Sequence, residues 1–268
     1  MIRAAIFDMD GLMFDTERLY GDAWLYAGRA TGFPITRELL DRTRGADRES
    51  CISVFREALG EAFDFYGVRR YRQEYVDGYL EKNGMPLKPG LMELLSYLKN
   101  SGYGIGLATS TDRATAREYL KMAGVRGYFD CMIFGDMVER GKPAPDIYLK
   151  AAEALGRCPD ECIVLEDSIL GVRAGAAAGC HVIMIPDGVE PGEREQKLIT
   201  RRMDSLMDVI TYLGQGKSEY NKRKRPGRSG NGWGAPAAFM GRMTSLPGVL
   251  LVFYAQDSAF HLKSHMLK

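Results

Sequence analysis

The strongest constraint on how this chain can fold is a repeated pairing of short apolar runs with helical stretches. Residues 2–7, 103–108, 131–134, 162–165 and 182–185 read as short buried strands, and helical patterns occupy 91–100, 113–123, 146–155 and 170–178 between them. Short strands that are apolar on both faces, alternating with helices, imply crossover connections and hence a parallel sheet with helices on both sides. The expected fold class is therefore α/β, a three-layer core in which ligands gather at the carboxyl ends of the strands.

One interval breaks the rhythm. Residues 16–84 carry helical patterns at 19–29, 35–42, 48–59 and 68–81 and little that reads as strand. They predict a small helical domain inserted after the first strand, returning through Met85-Pro86-Leu87-Lys88-Pro89-Gly90, where proline and glycine suit a hinge. The expected organisation is a core made of residues 1–15 and 85–215, an insertion over 16–84 and a separate tail over 216–268.

Composition narrows the functional classes. No apolar run approaches the roughly 20 residues of a membrane span, and Met1-Ile2-Arg3 running straight into a strand reads as no signal peptide. Cys51, Cys131, Cys158, Cys162 and Cys180 are odd in number and scattered, which fits reduced thiols in the cytoplasm; only Cys158 and Cys162 lie near each other, without a second ligand pair for zinc. The histidines are His181, His261 and His265. His181 opens an apolar run and reads as structural, so carboxylates are expected to do the proton work.

Polar residues fall at strand ends. The first strand stops in Asp8-Met9-Asp10-Gly11, two close carboxylates and a glycine, a pattern that suits a divalent cation with a nucleophile and equally a capped turn. Thr109 and Ser110 follow the second strand, placed either to hold phosphate oxygens or to cap the next helix. Lys142 lies in Gly141-Lys142-Pro143-Ala144-Pro145-Asp146, where the prolines would aim its ammonium at one point, although an isolated loop lysine is usually solvated. Glu166 and Asp167 end the apolar strand 162–165 like a metal-binding corner.

These four segments, in this order and each behind a strand, resemble the haloacid dehalogenase-like hydrolase superfamily over about residues 1–213. The insertion after the first segment is similar to that superfamily's first cap type, in the branch of phosphoglycolate phosphatase and beta-phosphoglucomutase. The resemblance implies a Rossmann-like core and a phosphatase of small phosphorylated metabolites. Asp8 would be the nucleophile that forms an aspartyl-phosphate, and Asp10 the general acid and base. It further implies Mg2+ held by Asp8, the Asp10 carbonyl and Asp167, with Glu166 in the outer shell. Thr109, Ser110 and Lys142 would bind the phosphoryl group.

A phosphomutase of the beta-phosphoglucomutase kind is the competing enzyme reading. In its favour, Arg44-Gly45-Ala46-Asp47-Arg48 is similar to that enzyme's second phosphate-binding segment, which makes Arg48 a candidate contact to a substrate anion or else an exposed charge. Against it, Tyr20 stands where the mutase has a histidine. The tail supplies a reading from another class. Residues 216–268 carry nine Lys and Arg against Glu219 and Asp257, which makes the tail +7 and leaves −6 for residues 1–215 of a chain whose net charge is +1. Such a basic run could bind nucleic acid or an anionic surface, yet no nucleic-acid fold surrounds it, and it reads as a disordered or poorly packed appendage. Neither the substrate nor the oligomeric state is written in these motifs.

Overall fold

The computed structural model describes the backbone of residues 1–43 and 48–224 and the side chains of 1–43 and 49–215. Six parallel strands, β1 (Ala4–Phe7), β2 (Gly104–Ala108), β3 (Cys131–Ile133), β4 (Cys162–Glu166), β5 (His181–Met184) and β6 (Arg201–Arg202), lie in the order β3-β2-β1-β4-β5-β6. The chain builds outward from β1 in one direction and then crosses back to β4 on its other side. That reversal at β1 is a switch point, where a crevice opens at the carboxyl ends of the strands.

The period of two along each strand sorts the core into two layers. Ala5 and Phe7 face one side with Ile105, Leu107, Ile163 and Leu165, covered by α5 (Leu91–Asn100), α6 (Arg113–Met122) and α10 (Leu206–Lys224). Ala4, Ile6, Ala108 and Val164 face the other, covered by α7 (Asp146–Ala154) and α8 (Ile169–Ala177). Phe7 is fully buried, edge-on to Phe129 with ring centroids 6.1 Å apart, and truncating such a ring to alanine costs about 3–5 kcal/mol. α9 (Glu193–Gln196) precedes β6 at the sheet edge.

Four helices intervene between β1 and α5: α1 (Thr16–Thr31), α2 (Arg37–Asp41), α3 (Arg48–Leu59) and α4 (Phe65–Asn83). α2 is capped by the Thr36 hydroxyl and α4 by the Asp64 carboxylate. These helices have an apolar cluster of their own around Phe55, Phe63 and Phe65, with the Phe55 and Phe63 rings stacked 5.1 Å apart. The two chain crossings into this segment are zipped together: the Asp15 amide donates to the Pro86 carbonyl and the Lys88 amide to the Met13 carbonyl, each at 2.9 Å.

Several expectations need adjustment. His181 opens β5 with its side chain exposed rather than packed. β6 escapes an apolar-run search because it is two exposed arginines paired to β5 at the sheet edge. α10 continues through Gly216 to Lys224, past the boundary drawn at residue 215; the rest of the proposed tail, 225–268, lies outside the described residues. So do residues 44–47 and the side chain of Arg48, the candidate anion contact. Among the described residues no helix is long and apolar enough to cross a membrane.

Candidate active site

Everything at the crevice depends on where strands stop. The Asp8 amide donates to the Leu165 carbonyl at 3.0 Å, the last rung joining β1 to β4, and places the Asp8 carboxylate beside the end of β4. The chain then turns at Gly11, whose φ of 80° lies in the left-handed region. A Cβ at Gly11 would stand 2.2 Å from Asp167 Oδ2, so glycine here serves both the turn and the approach of Asp167.

Asp10 is held from both sides. Its Oδ1 accepts from the Thr16 hydroxyl at 2.9 Å and its Oδ2 from the Thr111 hydroxyl at 2.7 Å. Thr109, 1% exposed, donates its amide to Ile133 and accepts the Thr111 amide on its hydroxyl at 3.0 Å. The capping alternative for Thr109 and Ser110 fails, because Asp112 caps α6 by accepting from the amides of Ala114 and Thr115. Ser110 is exposed toward the cavity.

Lys142 is not a solvated loop lysine. Its side chain is 6% exposed, and its ammonium donates to Asp8 and, at 2.6 Å, to Glu166. Glu166 is completely buried and serves as a hub. Oε1 accepts from Lys142 and from the Tyr148 hydroxyl at 2.5 Å; Oε2 accepts from the amides of Asp167 and Ser168 and from the Ser168 hydroxyl. With both oxygens occupied, Glu166 fixes Lys142 rather than reaching outward. The Ser168 hydroxyl also accepts the Gly171 amide, which ties the hub to the start of α8.

The charges do not balance within the protein. Asp8, Glu166 and Asp167 bring one carboxylate oxygen each within 4.8 Å of one another, the one such group among the described residues, and the ammonium of Lys142 pairs with the first two. Burial pushes Asp8 up to about 7 against the pull of Lys142, and burial together with Glu166 and Asp8 holds Asp167 well above the usual carboxylate range. Burial would raise Glu166, but the attraction of Lys142 leaves it below its ordinary value; burial would lower Lys142, but Asp8 and then Glu166 leave it well above its own. Two hard, buried carboxylates that shed their protons only at a cost suit a divalent cation.

A cavity of about 490 Å³, within the usual range for small-molecule sites, opens over these groups. Asp8, Asp10, Thr109, Ser110, Lys142 and Asp167 form its floor, so each core residue singled out from sequence reaches one place except Glu166, which lies behind Lys142. Sequence reasoning missed Thr16, Thr111 and Tyr148. The signal for Thr111 was present in the run Thr109-Ser110-Thr111, whose alternate hydroxyls lie two residues apart; Tyr148 reads only as an apolar position of α7.

Residues 2–179 match the family model for haloacid dehalogenase-like hydrolases. The chain is 36% identical over 186 residues to a phosphorylated carbohydrates phosphatase of Thermotoga maritima, covering 68% of this chain and 84% of that one. It is 34% identical to hexitol phosphatase A of Escherichia coli, over 67% and 81% of the two chains. Among solved structures, CbbY of Rhodobacter sphaeroides in complex with xylulose-(1,5)bisphosphate superposes with a TM-score of 0.59 at 29% identity, covering 77% of this chain and 95% of that one.

Proposed function

This chain belongs to the haloacid dehalogenase-like hydrolase family, and on that premise we propose that it is a magnesium-dependent phosphatase of small phosphorylated sugars or related phosphomonoesters. The observation that carries this reading is the pairing of Asp8, gripped by Lys142, with Asp10, gripped by two threonine hydroxyls, on the floor of one cavity. The named phosphatases among its relatives support the same class.

In the first step an Asp8 oxygen attacks phosphorus, forming an aspartyl-phosphate as the bond from phosphorus to the leaving oxygen breaks. Asp10 gives its proton to that oxygen, and burial, which raises its pKa, favours the protonated form it needs. Asp10 then takes a proton from the water that attacks the aspartyl-phosphate. Thr16 and Thr111 keep its carboxyl on the same line for both transfers. Lys142, held by Glu166, offsets the charge that gathers on the phosphoryl oxygens, and the Thr109 hydroxyl donates to one of them. Magnesium held by Asp8, Asp167 and the Asp10 carbonyl would supply the remaining positive charge that lets an anionic nucleophile approach an anionic phosphate.

In this reading residues 16–84 act as a cap over the crevice, hinged on the paired crossings at Asp15 and Lys88. Odd, scattered cysteines support a reducing, cytoplasmic setting. The test is phosphate release from a panel of phosphorylated metabolites, run beside an assay for sugar-phosphate isomerisation, with and without magnesium. Release that requires the ion and vanishes in Asp8→Asn is expected. Activity surviving exhaustive chelation, or isomerisation outrunning release, would refute the proposal.

A further inference from the structure

Asp10 takes its two side-chain hydrogen bonds from different parts of the fold. Thr16 opens α1, the first helix of the insertion, and Thr111 stands in the core just before α6. The same two helices are joined a second time. Tyr20, one turn along α1 from Thr16 and on the same face, has its hydroxyl 2.6 Å from that of Tyr119 on α6, where either oxygen can donate.

Tyr119 is buried, and Tyr20 packs against the same apolar cluster, which also holds Leu19 and Ala23 of α1 and Val76 and Leu80 of α4. With little water at hand, loss of one hydroxyl leaves the other without a partner. The Arg72 guanidinium of α4 lies 4.6 Å from the centre of the Tyr20 ring and 5.5 Å from that of Trp24, with no hydrogen-bond partner on Nε. It meets the rings through cation-π attraction, which restrains Tyr20 without taking its hydroxyl. Burial raises the pKa of both phenols and the charge of Asp10 pushes the same way, so both keep their protons, and both lie near enough to feel that charge.

Neither tyrosine is among the residues that line the cavity, so any influence on chemistry passes through what they hold. α1 belongs to the insertion and α6 to the core, and the line of the Asp10 carboxyl depends on how the two helices are set against each other. We propose, building on the phosphatase reading, that Tyr20 and Tyr119 are positioning residues for Asp10: their hydrogen bond locks α1 to α6, so that Thr16 and Thr111 hold the carboxyl in line with the leaving oxygen.

The test uses the full chain with magnesium and two probes of similar size, benzyl phosphate and para-nitrophenyl phosphate. The benzyl alkoxide needs a proton to leave and the nitrophenolate does not, so the ratio of their kcat/KM values reads the acid function of Asp10. That ratio is independent of the fraction of folded enzyme, so a less stable variant is still read. Tyr20→Phe and Tyr119→Phe should each lower kcat/KM by about tenfold or more for benzyl phosphate and by less than about threefold for the nitrophenyl ester. The double variant should shift the ratio no further than either alone, because both changes remove the same bond. Introduced into Asp10→Asn, which has no acid to position, Tyr20→Phe should leave the ratio where Asp10→Asn alone puts it. Equal losses on both probes, or a further fall of the ratio in the Asp10→Asn background, would reveal a packing contact only and overturn the proposal. A wild type that releases phosphate from neither probe nor any of the metabolite panel removes the phosphatase reading and this proposal with it. Turnover of both probes with an unmoved ratio in the tyrosine variants removes this proposal alone.

Discussion

Asp10 and Glu166, at the carboxyl edge of the sheet, each have both carboxylate oxygens bound, whereas Asp22 and Glu57, on the helices of the insertion, each meet one half-exposed arginine. A charge withdrawn from water is tolerated only when its remaining hydrogen-bonding capacity is met, so each of these carboxylates brings specific partners with it. An exposed charge is solvated whatever its neighbour and brings none. The edge is therefore tied to a single geometry by its hydrogen bonds, and the exposed pairs of the insertion are not.

The largest effect should come from breaking that geometry at Asp10. Asp10→Asn keeps the shape but cannot donate or recover the proton, and should lower kcat by about 10²–10⁴-fold. A loss of tenfold or less in steady-state assays would remove Asp10 from the proton path.

Gly171 gives a less direct way in. A Cβ there would lie 1.7 Å from Glu166 Oε1, so Gly171→Ala must displace the hub that holds Lys142. Activity should fall about 10- to 100-fold, the usual cost of disturbing a supporting group, with about 1–3 kcal/mol lost from overpacking. Adding Glu166→Asp, one methylene shorter, should restore part of the activity lost in Gly171→Ala; an additive loss in the double variant would contradict the hub.

The next prediction concerns pH. With Asp8 raised to about 7 in the folded chain and near 4 when unfolded, the metal-free fold holds a proton that the unfolded chain has shed across that window. Its stability therefore falls as pH rises from about 4 to about 7, and the raised Asp167 acts in the same direction. A divalent cation takes the proton's place, so the rise in Tm on adding magnesium should be larger near about pH 8 than near about pH 5. Equal shifts in thermal melts at both values would count against the site. The smallest effect belongs to the insertion: Arg42, 3.0 Å from Glu57 with both side chains exposed, should change stability by less than about 1 kcal/mol on replacement by alanine.

The same contrast explains what the sequence revealed. The first five strands were legible because each is a mostly apolar run, and Asp8, Asp10, Lys142 and Asp167 stood out because their segments follow such runs in the order of a known family, although each segment alone reads equally as a turn or a solvated loop. Thr16, Thr111 and Tyr148 were not. Thr111 supports a carboxylate 101 residues away, Thr16 and Tyr148 ones six and 18 residues away, and a hydroxyl in a helix or turn has many ordinary roles. β6 was hidden because its pairing at the sheet edge needs no apolar side chain.

The central claim is that the Asp8 carboxylate attacks phosphorus. Rapid quenching of a single turnover, followed by mass spectrometry of the peptide containing Asp8, tests it most directly. A phosphoryl group should be found on Asp8, sensitive to hydroxylamine, and with an aryl phosphate, whose leaving group needs no proton, more of it should persist in Asp10→Asn, which lacks the base that activates water. Turnover of substrate with Asp8 unmodified at every quench time, in the wild type and in Asp10→Asn alike, would contradict the account.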